Sequence, residues 1–517
     1  MTIRQLKPVR VIAEILFFLP AVFLFLDFTG AVPAWLWRKY ATLQIVPALL
    51  ALTVSAGTAI WGVLLVTLLT IVFGRVYCSS LCPLGTLQDM ISRLNRSRNS
   101  RRRFVYARPN YLLHYGLLVA TLGGVLGGSV VLLNLLEPFS NFGRMTATLA
   151  RPLAVVLTNT VVHLLEQFSI YALPPVAAHP IVLPVLAGAL LCFSVLFWMS
   201  YHHGRLFCNS LCPAGAVLGL ISRFSIFRVA FDDDACRDCG LCEKMCKARC
   251  IDADTHVIDA AACVLCLDCF EACPTEGVRI ERHLPWNREP STSIAKDRRE
   301  FIQNFIKGAA VIAFAPQDSV KNVAGVGASR TTQPISPPGS GGIAQFTSMC
   351  TSCHVCVDTC PTHVLIPGFF DYGIEGIFQP RMEYSVGACT YECTLCGEVC
   401  PTGAILPLPL ETKKLVQIGK ATFVKDDCVV AVKKTDCGAC AEHCPTKAVH
   451  MVPYEGKLVI PEVTQELCIG CGACEHPCPT TPNKAIYVQS NPLHATARKP
   501  EVKKAEPAVH LDQGFPF

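Results

Sequence analysis

The chain has 517 residues, 51% hydrophobic and only 16% charged, with a formal net charge of +6 and 30 cysteines. That length allows several domains, and the positive mean hydropathy points to a membrane. A mild positive charge placed beside apolar runs speaks for membrane topology and against a nucleic-acid partner.

The apolar residues gather before residue 230 and most cysteines after it. Residues 11–32, 43–73, 111–136 and 181–201 each offer the ~20 apolar residues that cross a ~30 Å hydrocarbon core as a helix. Residues 146–165 form a weaker fifth segment, interrupted by Arg151, Asn159, His163 and Glu166, and read as an interfacial or re-entrant helix. The loop after the second span carries Arg75, Arg93, Arg96, Arg98, Arg101, Arg102, Arg103 and Arg108. The loops after the first and third carry only Arg38/Lys39 and Arg144/Arg151. The positive-inside rule therefore puts both ends of this four-helix unit in the cytoplasm. The first apolar run is too long for a signal-peptide core and lacks a small-residue cleavage site.

Two spans end on nearly the same words. GRVYCSSLCPLGTLQDMISRL (residues 74–94) and GRLFCNSLCPAGAVLGLISRF (204–224) agree at 11 of 21 positions, which implies an internal duplication. In each, proline follows the second cysteine and an apolar-periodic run follows the proline, so helices should start at Pro83 and Pro213. Thiolates near helix N-termini have lowered pKa values, which makes Cys78, Cys82, Cys208 and Cys212 candidates for a metal or redox centre; buried turn cysteines are the alternative.

After Arg228 the cysteines come in fours. C-x2-C-x2-C-x3-C occurs at Cys236/Cys239/Cys242/Cys246, Cys263/Cys266/Cys269/Cys273, Cys350/Cys353/Cys356/Cys360 and Cys468/Cys471/Cys474/Cys478. Cys389/Cys393/Cys396/Cys400 has one extra residue in its first gap, and Cys428/Cys437/Cys440/Cys444 widens that gap to eight. Three thiolates at every third residue can wrap a cubane. The fourth, usually followed by proline, reaches a neighbouring cluster. Cys236, Cys239 and Cys242 would thus share a cluster with Cys273, and Cys263, Cys266 and Cys269 with Cys246. Six groups predict six [4Fe–4S] clusters.

Zinc usually splits two CxxC knuckles across a longer finger, and a disulfide framework does not suit groups facing the cytosol. Cys350–His354 formally matches CxxCH of c-type haem, but its continuation to Cys360-Pro361 completes a ferredoxin motif. Cys192 reads as a core residue of a span. Cys250, in CKARC, competes with Cys246 as a ligand, because Lys247 stands where a ferredoxin carries proline.

Residues 286–345 read as linker, opening on PWNREPSTS and closing on QPISPPGSGG. Between them KDRREFIQNFIKGAAVIAFAPQ, with Arg298 and Arg299, matches a twin-arginine export signal; a linker helix is the alternative. GVGAS (325–329) lies in linker and is no nucleotide fingerprint. Residues 346–490 form the second cysteine-rich domain, and 491–517 a charged tail. The expected fold is an α-helical membrane bundle (1–230) followed by α+β ferredoxin-like domains, the first at 231–285.

The spans, the two CxxxCP stretches, LEPFSNFGR (136–144) and the first cysteine pair resemble NapH-type membrane iron–sulfur proteins and the C-terminal half of NosR. From the twin arginines onward, with C-x8-C-x2-C-x3-CP at Cys428 to Pro445, the chain resembles NapG. A NapH–NapG fusion is implied. It would carry electrons from membrane quinol through the clusters to a reductase or multihaem cytochrome. The resemblance also implies the inner membrane of a bacterium, with the first ferredoxin domain cytoplasmic and the second periplasmic. In related four-cluster proteins the outer motifs pair together and the inner ones likewise, which would join the Cys350 and Cys468 groups and the Cys389 and Cys428 groups; sequential pairing is the alternative. Proteins with paired CxxxCP motifs also include assembly factors for oxidases and copper sites, a second reading. Clusters held only by cysteine leave no open site for substrate, so the chain reads as a wire. For the quinol proton the candidates are His202, His203, His163 and Glu166, since a histidine near its reference pKa of ~6.5 can accept one at neutral pH.

Overall fold

The computed structural model describes residues 6–27, 32–54, 57, 59–98, 104–107, 109–171, 174–176, 180–282 and 333–499. The twin arginines and Arg101, Arg102, Arg103 and Arg108 lie outside these residues.

Two expected spans form single helices: α1 (Leu6–Leu26) and, later in the chain, Leu183–His203. The other two are broken. The 43–73 run, which follows α2 (Ala34–Thr42), becomes α3 (Ile45–Leu52) and α4 (Ala59–Phe73). Helix α3 stops where the Thr53 hydroxyl donates to Leu50 O at 2.7 Å and a stretch with four weaker helix formers, Val54, Ser55, Gly57 and Thr58, begins.

After α5 (Val76–Ser80) and α6 (Pro83–Arg98), the third run divides into α7 (Tyr111–Leu126) and α8 (Val131–Leu136). Gly127 and Gly128 separate them. Gly128 has φ +83° and Ser129 N donates to Gly124 O at 2.8 Å, a glycine helix stop.

The weak fifth segment, expected as an interfacial or re-entrant helix or else as a fifth span, is longer than residues 146–165: α9 (Pro138–Met145), a π turn (Thr146–Ala150) and α10 (Arg151–Gln167) form one continuous run of 30 residues. Among the described residues it is one of three helices long and apolar enough to cross a membrane, with α1 and α11 (Leu183–His203). Its start explains LEPFSNFGR. The Glu137 carboxylate caps α9, accepting from Phe139 N at 2.9 Å and from Ser140 N, and Pro138 occupies the first helical position. Asn141 Nδ2 donates back to Leu135 O and Glu137 O at 2.7 and 2.9 Å.

The duplication is visible in the fold. Helices α4–α5–α6 and α11–α12–α13, with α12 at Leu206–Ser210 and α13 at Pro213–Ser222, repeat one pattern of apolar helix, glycine, short helix and proline-started helix. The glycines, Gly74 and Gly204, sit at φ +77° and +64°. Both proline starts fall where the sequence predicts them.

The first ferredoxin unit follows α13. Strand β1 (Phe227–Phe231) will pair with a strand that closes the unit. Between them lie the β2–β3 ribbon (Ile251–Asp252 and Val257–Ile258) and both cysteine groups. The closing strand β4 (Val278–Arg282) runs antiparallel to β1 in register Phe227↔Arg282.

The second unit holds three antiparallel ribbons. The first joins β5 (Leu365–Pro367) and β6 (Pro380–Met382). The second joins β7 (Val416–Phe423) to the final strand, and the third joins β8 (Val449–Pro453) and β9 (Val459–Val463). The final strand, β10 (Ile486–Thr496), runs past the expected boundary at 490. At the other edge Ile335, Ser336 and Ser340, from the stretch expected as linker, are buried in this unit. The β7–β10 ribbon divides the unit into two cores: Ile418 and Val488 enter one, Ala421 and Ile486 the other.

The two ferredoxin units meet opposite ends of the same helices. In the first turn of α1, Lys7 pairs with Asp268 at 2.9 Å; near its last turn, Phe25 packs on Phe139 and Phe142 beside Gly143. Gly143 has no side chain because Cys353 O lies 2.5 Å from where its Cβ would stand. Helix α11 repeats the arrangement in reverse. Gly188, near its start, faces the Phe378 ring, and His203, at its end, lies 3.1 Å from Arg249. At 1.5 Å per residue, these 21-residue helices hold the two units about 30 Å apart.

Candidate metal centres

Four of the six cysteine groups share one backbone path. The residues before and after the second cysteine are left-handed in each: Asp238/Gly240, Leu265/Leu267, Ser352/His354 and Gly470/Gly472. A left-handed residue other than glycine costs about 1–2 kcal/mol, and five of these eight are not glycine. A cost repeated at the same positions fits a loop curved around an object. After the fourth cysteine a second left-handed residue recurs, at Arg249, Glu276, His363, Gly403 and Lys447.

In the first unit one cavity is lined by Cys263, Cys266, Cys269 and Cys246, the crossed-over set expected, and by Cys250. The Cys246 and Cys250 sulfurs are 3.5 Å apart and both are buried, so either could supply the fourth thiolate. Cys242 lies within electrostatic reach of Cys239 and Cys273.

The second unit pairs differently from the family-based expectation. One cavity is lined by Cys389, Cys393, Cys396 and Cys360, and another by Cys428, Cys437, Cys440 and Cys478. Cys400 sits near Cys350, Cys353 and Cys356, and Cys444 near Cys468, Cys471 and Cys474. The fourth thiol therefore crosses between groups adjacent in sequence. Outer-with-outer pairing is excluded because the β7–β10 ribbon separates the two cores. The Cys350 set abuts the membrane bundle through Cys353. Cys389 N donates to Cys471 O at 2.9 Å, joining the second set to the third.

These thiol-lined spaces suit a cubane in their donor chemistry. Backbone N–H groups point at sulfur from Ile405 to Cys400 (3.4 Å) and from Ala421 to Cys468 (3.3 Å). In five groups a threonine two residues after the fourth cysteine brings its hydroxyl to that sulfur: Thr275, Thr362, Thr402 and Thr446 at 3.7–3.8 Å, Thr480 at 3.2 Å. The signal was in the sequence as a repeated Cys-Pro-Thr. Cys246 alone has Lys-Ala after it and no such hydroxyl.

The CxxxCP stretches fold together. Cys78, Cys82, Cys208 and Cys212 are all buried and lie within electrostatic reach of one another. Beside them the buried Asp89 accepts from Arg205 Nε at 2.6 Å and from Lys247 Nζ at 2.8 Å. Lys247 also meets Asp268 at 3.2 Å. The missing ferredoxin proline is thus replaced by a lysine that anchors the first unit to the bundle. Burial alone would lower the Lys247 pKa, but Asp89 holds it above the usual lysine range.

Charge counting along the sequence misjudged three arginines. Arg75, Arg144 and Arg151, counted there as loop charge, are buried. Arg151 pairs with buried Asp358 of the second unit, and Arg144 lies 4.3 Å over the Phe378 ring.

A family model described as a 4Fe–4S binding domain matches residues 46–101 and 185–231, the two copies of the duplication. Another, a 4Fe–4S dicluster domain, matches residues 433–481. The putative electron transport protein YccM of Escherichia coli K12 is 26% identical over 40% of this chain and 50% of its own. The methylamine utilization ferredoxin-type protein MauN of Paracoccus denitrificans is 29% identical over 37% and 55%. The ferredoxin-type protein NapH of E. coli K12 is 23% identical over 42% and 66%. Over its membrane half the chain is similar to NapH-type, ferredoxin-like membrane proteins. It spans between half and just under two thirds of the length of these relatives. No solved structure matches it.

The four quinol candidates fall into two separate places. His202 and His203 pack at the end of α11 against Trp198, with Arg249 on His203. His163 and Glu166 lie 4.0 Å apart on an exposed stretch of α10. Cys192 is half-buried on α11.

Proposed function

We propose that the chain is a membrane-bound polyferredoxin. It takes electrons from membrane quinol and passes them along [4Fe–4S] clusters to a reductase or cytochrome partner. One observation carries the reading: the two cysteine-rich units sit at opposite ends of α1 and α11, and in the larger unit a backbone hydrogen bond from Cys389 to Cys471 joins the two pairs of cysteine sets. A series of adjoining sites suits conduction; a metal chaperone has no use for it.

The clusters would supply one-electron chemistry. The chain supplies their spacing, the hydrogen bonds to sulfur and exclusion of water. Cys236, Cys239, Cys242 and Cys273 would hold one cluster; Cys263, Cys266, Cys269 and Cys246 a second. Cys350, Cys353, Cys356 and Cys400 would hold the third, Cys389, Cys393, Cys396 and Cys360 the fourth. Cys468, Cys471, Cys474 and Cys444 would hold the fifth, Cys428, Cys437, Cys440 and Cys478 the sixth. The first unit would face the cytoplasm of a bacterial inner membrane and the second the periplasm, which makes the larger unit the NapG-like half of a fusion.

Two measurements test this. A reporter joined at residue 499 should be active outside the inner membrane, and activity inside would place both units on one side. In proteoliposomes a reduced quinol should produce reduced-cluster EPR signals. Clusters that dithionite reduces and no quinol does would sink the relay from quinol.

A further inference from the structure

Each copy of the duplication brings only two cysteines, too few to hold a cluster. The copies complete each other. Arg75 of the first copy donates from Nη2 to Cys208 O of the second at 3.0 Å. Arg205 of the second donates from Nη1 to Cys78 O of the first at 2.5 Å. Gly85 and Gly215 make room for this exchange. A Cβ on Gly85 would stand 2.2 Å from Cys78 O and 2.6 Å from Arg205 Nη1; one on Gly215 would stand 2.2 Å from Cys208 O and 2.8 Å from Arg75 Nη2. The motif G-R-x-x-C-x-S-L-C-P-x-G is therefore written for a two-fold partner, with the arginine and the last glycine serving the interface.

The charge is unbalanced in a telling direction. Arg205 is paired with Asp89, Lys247 with Asp89 and Asp268, and Arg10 with Glu14. Arg75 is fully buried, yet its hydrogen-bond partners are neutral: Asn209 Oδ1 at 2.7 Å, Ala261 O at 2.9 Å, Cys208 O, and Cys78 Sγ at 3.9 Å. Arg75 Nε and Arg205 Nη2 are buried and find no acceptor among the described residues. A buried guanidinium without an anion is costly. Further donors converge on the sulfurs: Gly215 N on Cys212 at 3.3 Å and Gln88 Nε2 on Cys208 at 3.4 Å. The place asks for a bound group that is anionic and sulfur-rich.

We infer that Cys78, Cys82, Cys208 and Cys212 together hold one further [4Fe–4S] cluster, shared across the pseudo-two-fold axis between the two copies. Four thiolates on such a core leave it net negative, which answers Arg75 and Arg205 together. A single ion fits less well. Among the described residues only Cys236, Asp238 and His256 close to within 4.8 Å, as one small ion requires, and the ferredoxin sets share the wider spacing of this quartet.

The cluster would extend the series into the bundle. Asn209 Nδ2 donates to Ala248 O at 3.0 Å and Ala262 O at 3.3 Å, the latter adjoining Cys263. On the other side Tyr77, next to Cys78, is within electrostatic reach of Glu137, which in turn reaches Cys353. The inference deepens the relay reading and rests on it for the direction of flow, but the site itself is tested without any electron donor.

Iron and acid-labile sulfide are counted on the purified full-length chain as wild type, Cys82→Ser, Cys212→Ser and the double variant. Each single variant should lose one cubane's complement, and the double variant no more than either single. Additive loss means two separate sites, loss of one iron or zinc means a mononuclear ion, and no loss means buried turn cysteines. Each of these overturns the inference. Should the variants not fold, Mössbauer quantitation of the wild-type chain decides alone: seven cubanes support the inference (the six ferredoxin sets and this one), and six overturn it. Arg75→Gln should keep the iron and shift the EPR signature of one cluster only; unchanged spectra would remove the charge argument.

Discussion

The two ferredoxin units are attached to the same helix bundle by different means. The first follows α13 directly and is tied down by ion pairs, the buried Lys247 with Asp89 and Asp268 and the half-buried Lys7 with Asp268. The second is joined through residues outside those described and meets the bundle by close backbone fit. Gly143 admits Cys353 O, Gly188 admits Phe378, and one buried pair, Arg151 with Asp358, marks the seam. The first unit is thus an extension of the bundle, and the second is a docked body. The difference teaches where to cut: interference with the second seam should separate units, and interference with the first should unfold them.

The largest effect is expected at the seam thiol. Cys353→Ser should leave quinol unable to reduce any cluster of the second unit, while Cys437→Ser in the Cys428 set leaves the others reducible. EPR of quinol-treated proteoliposomes reads both. Equal behaviour of the two variants would mean that the docked body is not entered at Cys353.

Next is the seam ion pair. Arg151→Ala strands Asp358 beside the bundle and should weaken docking by about 3 kcal/mol, seen as earlier proteolytic release of residues 333–499. The Arg151→Ala/Asp358→Leu pair should recover part of that loss.

A smaller effect distinguishes the cluster environments. A hydrogen bond to sulfur stabilises the reduced cluster, and one bond of about 1 kcal/mol corresponds to roughly 40 mV for one electron. Thr446→Val should lower one midpoint potential by that order in redox titration. In the first unit Thr275→Val is the equivalent variant at Cys273, whereas Cys246 has no hydroxyl to remove.

The smallest effect is a pH dependence confined to the docked body. Burial lowers His494 to about 4, and its Nε2 lies 3.0 Å from Ser336 Oγ. With the folded pKa below the unfolded value, this contribution is present above pH ~6.5 and is lost as pH falls through about 4. His494→Gln should flatten the acid limb of thermal melts, so that stability falls less between neutral pH and about pH 4 than in the wild type.

Much of the candidate site was legible because cysteine spacing is local chemistry. Three thiols at every third residue specify a wrapped loop wherever they occur, and the left-handed residues at Leu265, Leu267, Ser352 and His354 follow that loop. The repeated CxxxCP stretches and both proline helix starts were equally local. Lys247 was visible as a departure from the ferredoxin rule, but its partner Asp89 lies 158 residues earlier. Nothing in the spacing of one motif points to the other.

What the sequence alone determined, then, is everything carried by near neighbours: apolar runs, cysteine groups, the duplication and the turns that end helices. Tertiary structure decided which groups pair in the second unit, because a ribbon formed by segments far apart in the chain stands between the two cores. It also decided the role of Arg75, Arg144 and Arg151. Their charge can be read from one letter each, but whether that charge faces water or a neighbouring thiol, ring or carboxylate depends on what the rest of the chain brings beside it.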